Sequence, residues 1–233
     1  MTVVLNAHTP FPPVEDALHS PNGLLAIGGS LNTARLLDAY RHGIFPWFSA
    51  DDPILWWSPD PRMVLFPHEF KVSRSLRKTL RQGLYQVTAD TAFEQVMRAC
   101  AAPRAGQAGS WIHEDMIAAY SELHHQGHAH SVEIWHAGEL AGGVYGVAIG
   151  RMFYGESMFS RRRDASKIAL AHLSAQALRW NLGLIDCQLH TEHLASLGAR
   201  EIPRTEFIQR VQELIHYPDL VSPWRFDEYE PAE

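Results

Sequence analysis

Two short strand-like runs with one helical run between them constrain this chain more than any other feature. They are Arg151-Met-Phe-Tyr-Gly-Glu-Ser-Met-Phe-Ser160 and Leu184-Ile-Asp-Cys-Gln188, and the helical pattern spans Ala165–Asn181. A strand, a helix and a second strand in one sheet form a right-handed crossover with the strands parallel, which sets both strand ends on the same edge. Side chains alternate along a strand, so Glu156 and Met158 are expected on one face, and so are Asp186 and Gln188. Asp and Glu are depleted in strands and seldom buried without partners. Two carboxylates and an amide converging at strand ends suit a site that handles an amine. The same carboxylates could instead pair with arginines such as Arg161 or Arg162, and residue type alone leaves both readings open.

The net charge of −6 argues against a general nucleic-acid coat protein, so any nucleic-acid contact must come from a local basic patch. No apolar run approaches the length of a membrane span, and Met1-Thr-Val-Val-Leu-Asn lacks the basic and long apolar segments of a secretion signal. A cytoplasmic protein without membrane contact is expected. Its two cysteines, Cys100 and Cys187, are too few for a disulfide framework and are expected as buried free thiols. Seven tryptophans exceed what packing usually needs, which makes aromatic stacking worth considering.

Residues 1–62 are rich in proline, glycine and aromatics and are expected to form a small N-terminal domain ahead of a main domain over 63–233. Asn32 or Thr33 can cap a helix over Ala34–His42 that Gly43 ends. Two aromatic runs follow, Gly43-Ile-Phe-Pro-Trp-Phe-Ser49 and Ile54-Leu-Trp-Trp-Ser-Pro-Asp-Pro-Arg62. Most of these rings must form a small core, and one or two could serve as a platform for a nucleobase. Ser73–Gln82 reads as a helix with Arg74, Arg77, Lys78 and Arg81 on one face and Leu76 and Leu80 on the other. Such a face is ordinarily just solvated, yet four like charges repel, and in an acidic protein they invite an anionic partner such as a phosphate backbone. A loop over Ala101–Ser110, rich in alanine and glycine, leads to Trp111.

His124, His125, His128 and His130, like His190 and His193, suggest a metal at first sight. Adjacent histidines point to different faces of a helix, and no cysteine or acidic ligand completes a zinc spacing, so no metal is expected. From His130 onward the order is three meandering strands, helix, strand, helix, strand. That order is the order of the N-acyltransferase fold of acetyl-CoA enzymes (GNAT-like). The fold class expected is therefore α+β, a mixed sheet with flanking helices plus the small N-terminal domain. In that fold the third strand and the strand after the helix splay apart, and the acyl donor enters the gap. Acetyl-CoA enzymes grip a pyrophosphate with a glycine-containing loop leading into the helix. Here the position reads Phe159-Ser-Arg-Arg-Arg-Asp-Ala-Ser166, with no glycine, which disfavours coenzyme A.

Seven strings carry a more specific signal: Pro21-Asn-Gly-Leu-Leu-Ala-Ile-Gly-Gly29, Gly43-Ile-Phe-Pro-Trp-Phe48, Trp56-Trp-Ser-Pro-Asp-Pro-Arg62, Gly127-His-Ala-His-Ser131, Gly155-Glu-Ser-Met-Phe-Ser160, Ile185-Asp-Cys-Gln188 and Ser196-Leu-Gly-Ala199. In this order, over roughly residues 10–215, the chain resembles the leucyl/phenylalanyl-tRNA–protein transferase family. The resemblance implies an enzyme that moves leucine or phenylalanine, and less readily methionine, from aminoacyl-tRNA to the α-amine of an N-terminal arginine or lysine, marking that protein for N-end-rule degradation. It implies no cofactor, because the ester to the terminal ribose is already activated. Nothing in the sequence demands more than a monomer.

The resemblance also assigns roles. Asp186 would act as base or anchor for the attacking amine, Gln188 would join that network, and Glu156 would hold the donor's amino group or place the acceptor. Trp47 and Trp111 would stack on the terminal adenosine. Met158, Ile185 and Leu170 would line the amino-acid pocket, with Val144, which like Leu173 departs from the family's pattern. The face Arg74, Arg77, Lys78, Arg81 is the candidate for the tRNA backbone. Two other readings compete: an N-acyltransferase using a different small acyl donor such as an acyl-CoA, and a non-catalytic tRNA-binding module.

Overall fold

Turn chemistry and apolar spacing set the elements of the computed structural model, which describes residues 2–6, 8–103 and 110–226. In chain order these are β1 (Val3–Leu5), β2 (Leu24–Gly28), α1 (Thr33–Arg41), β3 (Phe45–Pro46), β4 (Leu55–Trp57), β5 (Arg62–Leu65), α2 (Arg74–Arg81), β6 (Gln86–Ala89) and α3 (Phe93–Ala101). They continue with α4 (Glu114–His125), β7 (Ala129–His136), β8 (Glu139–Ile149), β9 (Met152–Ser160), α5 (Ala165–Arg179), β10 (Leu184–Gln188), α6 (Glu192–Ser196), β11 (Arg200–Ile202) and α7 (Arg204–Leu214). Most of the alanine- and glycine-rich loop and the end of the C-terminal tail lie outside the described residues.

The local signals act as physics expects. Asn32 caps α1 by accepting the Arg35 amide at 2.8 Å, and Ser73 caps α2 by accepting the Leu76 amide at 3.2 Å. Ala137 and Gly138 both take positive φ, the requirement for the tight turn that joins β7 to β8. Asp164 precedes α5 but accepts no capping hydrogen bond.

Strands β1, β2, β4 and β3 form a four-stranded sheet, and the main sheet has the order β11-β5-β10-β9-β8-β7-β6. Strands β7, β8 and β9 form the antiparallel meander, and β10 returns parallel to β9 after α5. The mixed sheet with flanking helices expected from the sequence is therefore present. One strand escaped that expectation: β5 inserts between β10 and β11, antiparallel to both.

Each face of the main sheet has its own apolar layer. On one side α5, through Ile168, Leu170 and Leu173, packs with Val132, Val144, Phe153 and Ile185. On the other, α3 and α4 share a core with Tyr145 and Tyr154 of the sheet and with Leu36, Tyr40, Phe45 and Trp56 of the N-terminal region. Leu36, Tyr40, Phe45 and Trp56 of the N-terminal region thus belong to the same buried cluster as α3 and α4.

Candidate active site

Strand β9 pairs with β10 only over Met152–Tyr154 against Leu184–Asp186. Beyond that point the two strands part, and the gap opens into a cleft of about 740 Å³. Glu156, Ser157 and Met158 form one lip, and Cys187, Gln188 and Leu189 the other. The N-terminal region supplies a further wall with Phe45, Trp47, Asp52, Leu55 and Trp57, and Trp111 lines it from the loop before α4.

Two bulges aim the polar groups. Tyr145 pairs with Ser157 while Gly146 pairs with Gly155, so Glu156 is an extra residue in β9. An inserted residue reverses the alternation beyond it. The expectation that Glu156 and Met158 share a face is therefore overturned. Glu156 turns toward α1 and α4, whereas Met158 packs against the α5 layer. Gly146 makes the bulge possible, since a Cβ there would stand 2.1 Å from the Tyr154 carbonyl oxygen. The second bulge makes Cys187 the extra residue of β10, between Asp186 and Gln188. Gln188 adopts φ of 63°, an uncommon conformation for a residue with a side chain.

Glu156 is nearly buried and receives three hydrogen bonds. Tyr40 Oη donates to its Oε1 at 2.8 Å, Gln188 Nε2 to the same oxygen at 2.8 Å, and Tyr120 Oη to Oε2 at 3.1 Å. Burial lifts its carboxyl to about 7, helped by the nearby Asp186 charge and opposed by the bonds from the two tyrosines and Gln188. The two tyrosine oxygens also touch each other. Burial and the Glu156 charge hold both tyrosines well above their usual range, so they stay hydroxyl donors.

Asp186 has a different position from the one expected. Its side chain is 0% exposed and paired with Arg62, which donates from Nε at 2.8 Å and from Nη2 at 2.6 Å. The partner is thus neither Arg161 nor Arg162. Arg62 also donates from Nη1 to the Gly43 carbonyl at 3.1 Å, and its guanidinium sits over the rings of Phe45 and Phe207. Asp186 Oδ1 accepts the Gln188 backbone N–H at 2.9 Å. Asp186 is absent from the cleft wall. Its buried carboxylate, held by three hydrogen bonds from Arg62 and Gln188, departs from the expectation that it meets a substrate amine. What it holds is the backbone turn that presents Gln188, a bonding pattern that fixes the side chain facing the cleft.

Trp47 and Trp111 both reach the cleft, Trp47 with 41% exposure. Met158 also lines it, but Val144, Leu170 and Ile185 do not. They are buried in the α5 layer against which Met158 packs, because their parity on β8, β10 and α5 points them into that core. Arg74, Arg77, Lys78 and Arg81 lie on α2, away from the cleft lining. Among the described residues none of the four forms an ion pair. Leu76 beneath them is buried, so the basic face looks outward. At the head of α5, where acetyl-CoA enzymes seat a pyrophosphate, the Asp164 carboxylate stands 3.3 Å from Lys167 and 3.5 Å from Arg163.

The histidines are dispersed. His124 stacks on Phe93, and His130 bonds Asp90 at 2.8 Å and stacks on Trp224. Among the described residues no group of three or more histidine, cysteine, aspartate or glutamate side chains is placed to hold a metal. Sequence reasoning missed four residues of the site: Arg62, Tyr40, Tyr120 and Trp57. Arg62 carried a usable signal, an arginine opening an otherwise apolar strand, which demands an acid nearby. The tyrosines carried none, since any buried helix face can hold them.

The family model described as leucyl/phenylalanyl-tRNA protein transferase matches residues 64–212, and the model for that family's N-terminal domain matches residues 29–60. A leucyl/phenylalanyl-tRNA–protein transferase of Nitrosomonas europaea is 63% identical over 227 residues, covering 97% of this chain and 96% of its own. One from Laribacter hongkongensis is 54% identical over 233 residues, covering all of both chains. Among solved structures, a GCN5-related N-acetyltransferase from Kribbella flavida is 12% identical, with a TM-score of 0.37 over 73% of this chain and 61% of its own. With a family model spanning most of its length and relatives at this identity over almost all of it, the chain belongs to the leucyl/phenylalanyl-tRNA–protein transferase family.

Proposed function

We propose that this cleft transfers leucine or phenylalanine, and less readily methionine, from aminoacyl-tRNA to the α-amine of an N-terminal arginine or lysine. The protein works as a monomer in the cytoplasm, and its product is marked for N-end-rule degradation. The observation that carries the reading is the pair Glu156 and Gln188, linked at 2.8 Å across the lips of the open cleft in a chain of this family.

The chemistry follows from the donors and acceptors. The amine nitrogen attacks the ester carbonyl carbon, a C–N bond forms, the C–O bond to the terminal ribose breaks, and the amine's proton must reach the departing oxygen. Gln188 already donates its Nε2 to Glu156, which leaves its carbonyl oxygen to accept an N–H from the amine and aim the nitrogen lone pair. Glu156, poised near 7, can take the amine's proton and return it to the ribose oxygen. Asp186 and Arg62 act through Gln188 as positioning residues. Bringing two substrates together in one cleft supplies much of the rate. Trp47 and Trp111 offer π-faces to the terminal adenosine, Met158 adapts to a branched or an aromatic guest, and the outward-facing α2 cations suit the tRNA backbone.

The run Phe159–Ser166 leading into α5 has no glycine to let its backbone close on a pyrophosphate, which weighs against an acyl-CoA donor, and the linked carboxyl and carboxamide weigh against a module that only binds tRNA. Labelled Leu-tRNA is mixed with an arginine-terminated protein, with and without ribonuclease, and in parallel with an acyl-CoA. Ribonuclease-sensitive transfer is expected. Turnover of the acyl-CoA, or tRNA binding without transfer, overturns the reading.

A further inference from the structure

A cationic N-terminal side chain needs an anion with free lone pairs, and the cleft has little to offer one. Glu156 already receives three hydrogen bonds, from Tyr40, Tyr120 and Gln188. Asp186 is sealed behind the wall by Arg62. Among the described residues, the one other carboxylate on the cleft wall belongs to Asp52, in the turn between β3 and β4.

That turn is held firmly. The Asp52 amide donates to the Ser49 carbonyl at 2.9 Å, and the Ser49 amide donates to Asp52 Oδ2 at 3.3 Å. At its base the Trp47 amide donates to the Leu55 carbonyl at 3.0 Å, and Trp57 Nε1 donates to the Trp47 carbonyl at 2.7 Å. Asp52 is exposed and, among the described residues, forms no ion pair and has its other carboxylate oxygen unengaged. Trp57 lines the same wall and presents a second π-face beside Trp47, with ring centroids 5.7 Å apart. A free carboxylate with an indole close by in sequence and on the same wall is the pairing that selects guanidinium and ammonium groups.

We propose that Asp52 is the residue that selects acceptors with a cationic first residue, by pairing with that residue's guanidinium or ammonium. This rests on the transfer reading of the cleft. In that role Asp52 touches the substrate side chain but no reacting atom, so its removal raises the acceptor's KM and spares the chemical step.

The test uses the full-length protein, Leu-tRNA, and peptides beginning with arginine, lysine or citrulline, the neutral shape-mimic of arginine. Asp52→Asn should raise KM for the arginine and lysine peptides about fivefold, the upper range for a solvent-facing ion pair, and the preference for arginine over citrulline should collapse by the same factor. Asp52→Glu should restore part of that preference, and Asp51→Asn, one residue away but off the cleft wall, should leave it intact. An unchanged KM for the arginine peptide, an equal rise with citrulline, or a rise in KM for Leu-tRNA instead overturns the assignment while the transfer reading stands. A wild-type protein that transfers nothing to any peptide overturns both.

Discussion

Replacing Asp186 by Asn keeps the side chain's shape and removes its charge, which isolates what that charge does. Arg62, 1% exposed at its side chain, would be left buried opposite a neutral amide. Breaking a buried ion pair from one side costs about 3–5 kcal/mol. Arg62 keeps its bond to the Gly43 carbonyl and its seat over two aromatic rings, so the loss should fall at the lower end, about 3 kcal/mol. Set against a total stability of about 5–15 kcal/mol, the variant folds but is weakened. In urea titrations followed by tryptophan fluorescence the midpoint should drop by about 1 M. Loss of transfer in that variant alone would not distinguish a role in chemistry from a role in folding. The double variant Arg62→Met with Asp186→Leu does so. Removing both charges should recover stability to within about 1 kcal/mol of wild type. Transfer should stay lost, because the Gln188 amide no longer has the acceptor that holds its φ of 63°. An Asp186→Asn variant as stable as wild type, or a double variant with wild-type transfer, refutes the argument that Asp186 works by fixing Gln188.

Three further outcomes follow from the same geometry. Glu156 titrates near 7 in the fold against 4.5 for the free side chain, so between those values the folded state binds more protons than the unfolded one. Stability should therefore fall as pH rises through that window, by about 3 kcal/mol from this group, and level off above it; Glu156→Gln should flatten the slope, raise stability at alkaline pH and abolish the rise of the transfer rate near pH 7. A Gly146→Ala substitution puts a Cβ 2.1 Å from the Tyr154 carbonyl oxygen and 2.6 Å from the Phe153 ring, and should lower stability by about 2–3 kcal/mol, read by denaturation, with transfer falling because the bulge that aims Glu156 is deformed. Reversing Arg77 and Lys78 to Glu should weaken tRNA binding and reduce the slope of log affinity against log salt by about 0.7–0.9 for each phosphate that is no longer neutralised, and an unaltered slope would leave α2 as a merely solvated face.

Much of the frame was legible because it depends on local rules. Glycine and asparagine punctuation located α1, α2 and the β7–β8 turn, and the strand–helix–strand run from Met152 to Gln188 left β10 no choice but a parallel return beside β9. The residues of the site could be named for the same reason, since carboxylates at strand ends stand out. Their directions could not. Alternation places Glu156 and Met158 together only if no residue is inserted, and a bulge leaves no mark in the sequence beyond a glycine on the neighbouring strand. The burial of Asp186 depends on Arg62, more than a hundred residues earlier, through a strand whose place in the sheet no local pattern announces. Val144, Leu170 and Ile185 were read as lining the amino-acid pocket, yet they sit in the α5 layer beneath Met158, because which apolar residue meets open space depends on how far the strands part.

The inserted residue in β9 has a consequence for how such a protein can change. Because the strand switches sides between Glu156 and Met158, the acid network and the apolar seat hang from opposite faces of one ribbon. Each is braced by a different set of helices. A lineage, or an engineer, can therefore recarve the hydrophobic side from α5 and admit a bulkier or slimmer guest. The tyrosines bonded to Glu156 across the sheet would not register the alteration.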